Sequence, residues 1–507
     1  MGANQRISRL VEWATSHGAS LHPLVEVYDD PTTGFSFRVK QDSSSPEAPR
    51  LAAWETVVSI PTNLTLSYLN ARPQVTADGL VNSHFRSGSH PFSADFLTRT
   101  PPHVVGRFFL IWQWLLGEES FWWPYIQALP QPDEEDTWQL APFWGSDDAE
   151  ILEGTNVEVG LEKIRKDVKN EFSRATELLA GDDRLSSSIT MKLYQWAYCI
   201  FSSRSFRPNL VLSAAEDEED LLPQNVRMDD FSVLLPLFDI GNHDMTAEVQ
   251  WNVLRPGPQA GDNLTRCELR VGQEFQPGQQ VFNNYSLKTN AELLLGYGFM
   301  IPQSDALHND YIHVRKRSEG QGPTEEYYIS LRPMSHPSSV LGRAKQTVEV
   351  EIPPGRNMLA AFRHVQTDMA WDIFTTLVHA YGEDVFELLP YPDDENPFDP
   401  NLEDWGTRMR RDQRQRFFCG NVGAACAPFV EQTVGIIQNK LFQELERLNE
   451  TDVEVAEGDK EGLTANQRLA LEYRKRCRMV LEDTLENLTL KMKEDGSLPD
   501  LVPGENV

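Results

Sequence analysis

Between Val233 and Phe299 the chain gathers polar side chains that a filled core would not hold. An apolar run, Val233 to Phe238, reads as a strand broken by Pro236, and Asp239, Asn242 and His243 follow it at once. Two further strand-like runs lead to Tyr285, which stands among small polar residues. A short apolar helix then runs into Tyr297-Gly298-Phe299. Apolar elements that deliver a carboxylate, an amide, an imidazole and phenols to one place make a ligand site. The motif set narrows the chemistry. No GxGxxG follows a strand, which argues against a Rossmann-type dehydrogenase or methyltransferase, and HExxH and P-loop patterns are absent.

Composition sets further bounds. A chain of 507 residues has length for two to four domains and an ample core. Hydrophobic residues at 40% and charged residues at 24% describe a globular protein. The formal net charge of -30 argues against a nucleic-acid partner, whose phosphates demand a basic face, and a field of this sign steers basic partners inward. The same acidity also fits simple solubility. Cys199, Cys267, Cys419, Cys426 and Cys477 are scattered, with no C-x-x-C pair, so neither a zinc cluster nor a disulfide framework is expected. Met1 to Ser20 has no apolar signal-peptide core, and the longest apolar stretch, Phe108 to Leu116, is too short to span a bilayer. Cytoplasm, nucleus or both are the expected compartments, with no membrane partner.

The elements that must position the polar cluster can be taken in order. Ile7 to His17 reads as an amphipathic helix with Ile7, Leu10, Val11 and Ala14 on one side, ended by Gly18. Val25 to Val27 and Phe35 to Val39 read as strands around the turn Asp29 to Gly34, and Glu55 to Ile60 as a third strand. The spacing predicts helices over Val104 to Leu116, Phe121 to Leu129, Val157 to Leu179 and Ile189 to Phe201. Phe121, Trp122, Trp123 and Trp144 read mostly as core. Tyr311 to Val314 and Glu326 to Leu331 read as strands. From Pro353 the pattern is helical: Met358 to Tyr381, a stripe from Val430 to Leu448, and another from Leu469 to Leu488. Gln41 to Arg50, Ala214 to Leu221, Arg315 to Thr324, Pro390 to Pro400 and Val453 to Glu461 read as loops.

The phrases DIGNHDM, NNYS and KTNAELLLGYGF together resemble the SET-domain protein methyltransferases, in the branch typified by the Rubisco large-subunit and ribosomal-protein lysine methyltransferases. LLGEESFWWPYIQALP and PFWGSDDAEILEGTN resemble the helical insertion that splits the SET domain in that branch, and EYRKRCRMVLEDTLENL its helical C-terminal domain. The resemblance implies an α+β fold, a SET-domain β fold interrupted by a helical insertion and followed by an all-helical substrate-binding domain. The implied boundaries are 1–95 and 231–335 for the two SET parts, 96–230 for the insertion and 336–507 for the helical domain.

It also implies S-adenosylmethionine as cofactor, a protein-lysine N-methyltransferase activity on a protein substrate, a monomer and no metal, while the acidity of the chain favours a basic target such as a ribosomal protein. A lysine amine with a pKa of about 10.4 must lose its proton to attack, which a narrow apolar channel and a nearby sulfonium would favour. Position by position, Gly34, Ser36 and Phe37 match a G-x-G hairpin beside the cofactor, with Ser36 where the family has its second Gly. Ser203 and Arg204 match an S-R-x-F element, whose arginine fork suits a carboxylate. Asn242 matches the residue holding the cofactor through its amide. The backbone of His243 is implied to meet the adenine, its ring to brace a strand crossing. Asp239 is implied to orient cofactor or lysine. Tyr285 and Tyr297 match the two tyrosines converging on the methyl, Tyr285 also bordering the cofactor and Tyr297 being the better match to the catalytic one. Tyr297, Asp239 and Phe299 would line the lysine channel, Phe299 as an aromatic wall. Ser286 stands where the family often has Gly. Two other readings stay open: methylation of another nitrogen, such as a histidine, and an inactive SET-like interaction module.

Overall fold

A computed structural model describes residues 2–41, 49–72, 92–179, 188–212, 222–223, 225–255, 265–315, 326–345, 349–381, 388, 405–453 and 461–488. Most of Gln41 to Arg50, Arg315 to Thr324 and Val453 to Glu461, and all of Ala214 to Leu221 and Pro390 to Pro400, lie outside the described residues. The chain divides into two units, Met1–Phe143 with Glu162–Ser286, and Trp144–Leu161 with Leu287–Val507.

In the first unit, helix Ala3–Ser16 buries Ile7, Leu10, Trp13 and Ala14. Trp13 takes the inner place that the spacing gives to Val11, which is half-buried, because a large ring reaches the core from a flank. The strands are short: β1 (Ser20–Leu21), β2 (Val25–Asp30), β3 (Gly34–Val39), β4 (Thr56–Pro61), β5 (Leu66–Ser67), β6 (Ser205–Phe206), β7 (Val233–Leu234), β8 (Val249–Leu254), β9 (Arg266–Val271) and β10 (Gln280–Val281). They form three antiparallel sheets, ordered β1-β4-β9-β8, β10-β3-β2 and β5-β7-β6. The β2–β3 turn is closed by Asp30, whose Oδ1 accepts the Thr32 and Thr33 N–H groups at 2.9 and 3.0 Å. Gly34 leaves the turn at φ +75°, a backbone state that favours glycine.

Strand β7 is shorter than the apolar run predicts. Pro236 lacks an N–H to continue the ladder, Leu237 swings to φ +71°, and the chain enters a 3₁₀ turn over Phe238–Ile240. Helix Pro102–Leu116 runs as expected and buries Val104, Val105, Phe108, Phe109 and Ile111. The helix expected from Phe121 to Leu129 is one turn, Trp123–Ile126, with Pro124 in its first turn, which also places the fully buried Trp122 and Tyr125.

The second unit pairs β11 (Tyr311–Arg315) with β12 (Glu326–Ser330) and adds helices. Instead of one helix from Met358, a 3₁₀ turn at Ala360–Phe362 precedes helix Thr367–Tyr381. That helix buries Met369, Ala370, Phe374 and Val378. Helices Ala427–Glu450 and Ala465–Asn487 bury Val430, Val434, Ile437, Leu441 and Leu448 in one case and Tyr473, Cys477, Val480 and Thr484 in the other. Arg474 is buried between them. Its Nη1 donates to the carbonyls of Ile151 and Glu153 at 3.1 and 2.6 Å, tying the Trp144–Leu161 segment to the last helix. Among the described residues no helix is long and apolar enough to cross a membrane.

Candidate active site

In the first unit two stretches of chain, Gly241 to Asp244 and Asn283 to Ser286, run side by side in parallel through a bridge between His243 and Asn283. The Asn283 N–H donates to the Asn242 carbonyl at 2.7 Å, and the Asp244 N–H to the Asn283 carbonyl at 2.9 Å. Such close passage needs a bare backbone. A Cβ on Gly241 would stand 3.1 Å from the Asn283 Cβ and 3.4 Å from the Phe37 ring. The buried Asn283 side chain holds the second stretch, its Oδ1 accepting Trp251 Nε1–H at 2.9 Å and the Asn284 N–H at 2.8 Å.

Each polar residue of the D-x-x-N-H element has a distinct task here. The Asn242 amide reaches the hairpin, donating to Thr33 Oγ1 at 2.7 Å, Ser36 Oγ at 3.0 Å and Gln280 Oε1 at 3.3 Å. The His243 ring braces the crossing: Nδ1 accepts the Tyr285 N–H at 3.0 Å. The Tyr285 hydroxyl donates back to the Gly241 carbonyl at 2.8 Å. Asp239 is buried, and its Oδ2 accepts the Tyr125 hydroxyl at 2.7 Å. Arg204 lies beside it, its Nη1 3.9 Å from Oδ2 and 3.5 Å from the Asp239 carbonyl. Burial pushes the Asp239 carboxyl up to about 6, against the lowering pull of Arg204 and Tyr125.

The remaining expected residues fall as follows. Ser36 is fully buried in β3 and meets Asn242. Phe37, next to it, pairs with Val281 and has its side chain wholly in the core. Gly34 would find open space around a Cβ, so its glycine serves the φ +75° turn. The Ser203 hydroxyl donates into its own helix, to the Cys199 carbonyl at 2.8 Å. Tyr297 and Phe299 belong to the second unit. There Thr289 and Glu292 cap helix Asn290–Tyr297, and Gly298 at φ +77° ends it. Asn290 is fully buried and clamps the chain beyond: its Oδ1 accepts the Ile301 N–H at 2.9 Å, and its Nδ2 donates to Asp310 at 2.6 Å. The Tyr297 and Phe299 rings meet edge to face at 6.2 Å, and Lys288 Nζ stands 5.6 Å from the Tyr297 centroid. Burial first, then Glu292, raises the Tyr297 phenol above its usual value.

Tyr125, Thr33, Gln280 and Asn290 carry no mark in the sequence as site residues. Tyr125 sits in the apolar phrase FWWPYI and reads as core. Other chemistry is poorly served. The cysteines are buried, and burial pushes the thiols of Cys199, Cys267 and Cys477 up to about 12, far from a nucleophilic thiolate at neutral pH. Among the described residues no cluster of three or more His, Cys, Asp or Glu could hold a metal.

Comparison with solved structures decides the architecture. The chain superposes over 95% of its length on the SET domain of LSMT bound to lysine and AdoHcy, covering 90% of that chain, with a TM-score of 0.59 and 15% identity. Rubisco LSMT bound to AdoMet gives 0.57, again at 15% identity, with 95% and 91% covered. The fold is that of the LSMT SET domain. Among curated proteins, the SET-fold chain is 26% identical over 320 residues to ribosomal lysine N-methyltransferase set10 of Schizosaccharomyces pombe, covering 61% of this chain and 49% of that protein. It is 29% identical over 222 residues to the chloroplastic [fructose-bisphosphate aldolase]-lysine N-methyltransferase of Arabidopsis thaliana, covering 40% and 41%. It is 24% identical over 295 residues to the human actin-histidine N-methyltransferase, covering 57% and 41%. The chain thus spans half or less of the length of these relatives. No family model matches it.

Proposed function

We propose that this chain transfers a methyl group from S-adenosylmethionine to the ε-amine of a lysine in a protein substrate. The observation that carries the reading is the crossing of Gly241 to Asp244 with Asn283 to Ser286, which sets the Asn242 amide on Ser36 and the Tyr285 phenol on the Gly241 carbonyl. Two relatives named as protein-lysine methyltransferases and the likeness to AdoMet-bound and lysine-bound LSMT support it.

The residues present suit the cofactor. Asp239 has a buried Oδ1 without a hydrogen-bond partner, which fits a cationic group. Arg204 is partly exposed and loosely held, which fits a carboxylate. Asn242 offers an amide at the mouth of the hairpin, with Gly34, Ser36 and Phe37 as its frame and Ser203 beside Arg204. When bound, the cofactor supplies an electrophilic methyl. Tyr285 and Tyr297 are the tyrosines whose phenol dipoles would favour charge developing at the methyl, Tyr297 being the better match to the family's catalytic one. His243 keeps Tyr285 in place, and the lysine-channel role of Phe299, Tyr297 and Asp239 rests on the motif resemblance. The net charge of -30 favours a basic substrate, and the relative named as a ribosomal lysine methyltransferase favours a ribosomal one. We place the protein in the cytoplasm, the nucleus or both, acting as a monomer.

The actin-histidine N-methyltransferase relatives favour a second reading, methylation of a histidine ring nitrogen on the same fold. Calorimetric titration with S-adenosylhomocysteine, beside Asn242→Ala, tests the shared cofactor site: binding by the natural chain that is weakened in the variant is expected. No binding by a folded chain leaves the interaction-module reading. Mass spectrometry of lysate proteins methylated by the enzyme then separates lysine from histidine.

A further inference from the structure

Tyr125 and Asp239 lie 114 residues apart in sequence, yet the Tyr125 hydroxyl donates to Asp239 Oδ2 at 2.7 Å. Both are almost wholly removed from solvent, at 1% and 6% exposure. Tyr125 comes from the one-turn helix Trp123–Ile126, held by the Trp122 indole, which donates to the Leu64 carbonyl at 2.9 Å. A buried tyrosine in an apolar phrase fills volume as well as a phenylalanine would. Its hydroxyl is needed only for the carboxylate. The other carboxylate oxygen, Oδ1, is buried and makes no hydrogen bond. An unpaired carboxylate oxygen in such a place is costly unless a ligand completes it.

We propose that Tyr125 is a positioning residue that acts through Asp239, holding Oδ2 so that Oδ1 is left as the acceptor for an alkylammonium group of a ligand. The inference rests on the methyltransferase reading and adds to it the residue that sets the orientation of the acid. Arg204, Tyr125 and Asp239's own backbone N–H are the groups that act on the carboxyl. Arg204 alone, at 3.9 Å, is too far for a directed hydrogen bond and supplies only charge. Tyr125 is the side chain that gives Oδ2 a directed hydrogen bond, and it favours the ionised acid, since a hydrogen bond to a charged group stabilises that charge. The alkylammonium can come from the amino-acid end of the cofactor or from the acceptor lysine, and the test separates the two.

The test is a calorimetric series on the full chain from pH 5 to pH 8 with S-adenosylhomocysteine, with 5′-methylthioadenosine, which lacks the amino-acid end, and with free lysine added to the chain saturated with S-adenosylhomocysteine. Natural protein, Tyr125→Phe and Asp239→Asn are compared. Affinity for the ammonium-bearing ligand should rise with pH in the natural protein. The rise should move to higher pH in Tyr125→Phe, with binding about tenfold weaker near pH 6, and vanish in Asp239→Asn. Methylthioadenosine should give one flat profile in all three. The shift in the S-adenosylhomocysteine series assigns the cofactor ammonium, and a shift confined to the lysine series assigns the acceptor amine. Superimposable profiles for natural protein and Tyr125→Phe in both series overturn the proposal. Should Tyr125→Phe fail to fold, a pH-dependent profile persisting in Asp239→Asn overturns it instead. Failure of the natural, folded chain to bind S-adenosylhomocysteine at all overturns the underlying function.

Discussion

The imidazole of His243 lies nearly flat against the ring of Tyr285, centroids 4.9 Å apart and planes 10° from parallel, while its Nδ1 accepts the Tyr285 N–H. One side chain thus fixes both the backbone and the ring of the residue at the crossing. His243→Ala loses the stack and leaves the Tyr285 N–H without its acceptor. A loss of about 2 kcal/mol is expected, read by chemical denaturation, together with weaker binding of S-adenosylhomocysteine. A variant as stable as the natural chain would mean that the crossing holds without the ring.

Replacing Tyr285 and Tyr297 by phenylalanine is expected to separate binding from turnover. Tyr285→Phe gives up the 2.8 Å bond to the Gly241 carbonyl, costing about 1 kcal/mol. The stack on His243 survives. Both Tyr285→Phe and Tyr297→Phe should keep cofactor affinity within a few-fold and lose most turnover, about 10²-fold if the phenol dipole acts in the transition state. Methylation assays on the natural substrate measure this; normal turnover in both would remove them from the chemistry.

Asp239 gives a stability signature that runs opposite to most carboxylates. Its carboxyl lies at about 6 in the folded chain against a usual value of 3.8, so the folded state holds a proton that the unfolded chain has released. Folding therefore weakens as pH rises from about 4 to about 6, by about 3 kcal/mol in full. Asp239→Asn has no such loss. The stability difference between variant and natural chain should move in the variant's favour between pH 4 and pH 7, measured by urea unfolding without ligand. A difference independent of pH would show that the carboxyl is not strained by burial.

Ser286 sits at φ +82°, the left-handed region that an L side chain adopts only at a cost. The Asn284 Oδ1 accepts its N–H at 2.9 Å and helps hold that turn. Ser286→Gly relieves the strain and gives part of the gain back as chain entropy, so a change between zero and about 1 kcal/mol of added stability is expected. Ser286→Val should lose about 1–2 kcal/mol, because a β-branched residue tolerates that backbone least. Thermal unfolding of the pair decides; equal melting temperatures would contradict the strain.

Local order was written plainly. The Thr289 to Glu292 capping box, the Gly298 stop and the alternation of β9 follow from residues adjacent in sequence. The departures come at prolines and large aromatic residues. Val233 to Phe238 reads as a strand broken by Pro236, and Pro236 with the turn at Leu237 leaves only two residues of it. Phe121 to Leu129 reads as a helix, yet one turn remains, Trp123–Ile126, with Pro124 in its first turn.

By itself the sequence determined the types of residue and the elements that carry them: apolar strands, the polar Asp239, Asn242 and His243, and the helix leading to Tyr297. Tertiary structure alone decided who meets whom. Asn242 reaches Ser36 across 206 positions, and Tyr125 reaches Asp239 across 114. Periodicity reports which face of an element is buried, but not which distant element covers it. A hydroxyl such as that of Tyr125 reads as bulk until the chain closes and a carboxylate stands 2.7 Å away.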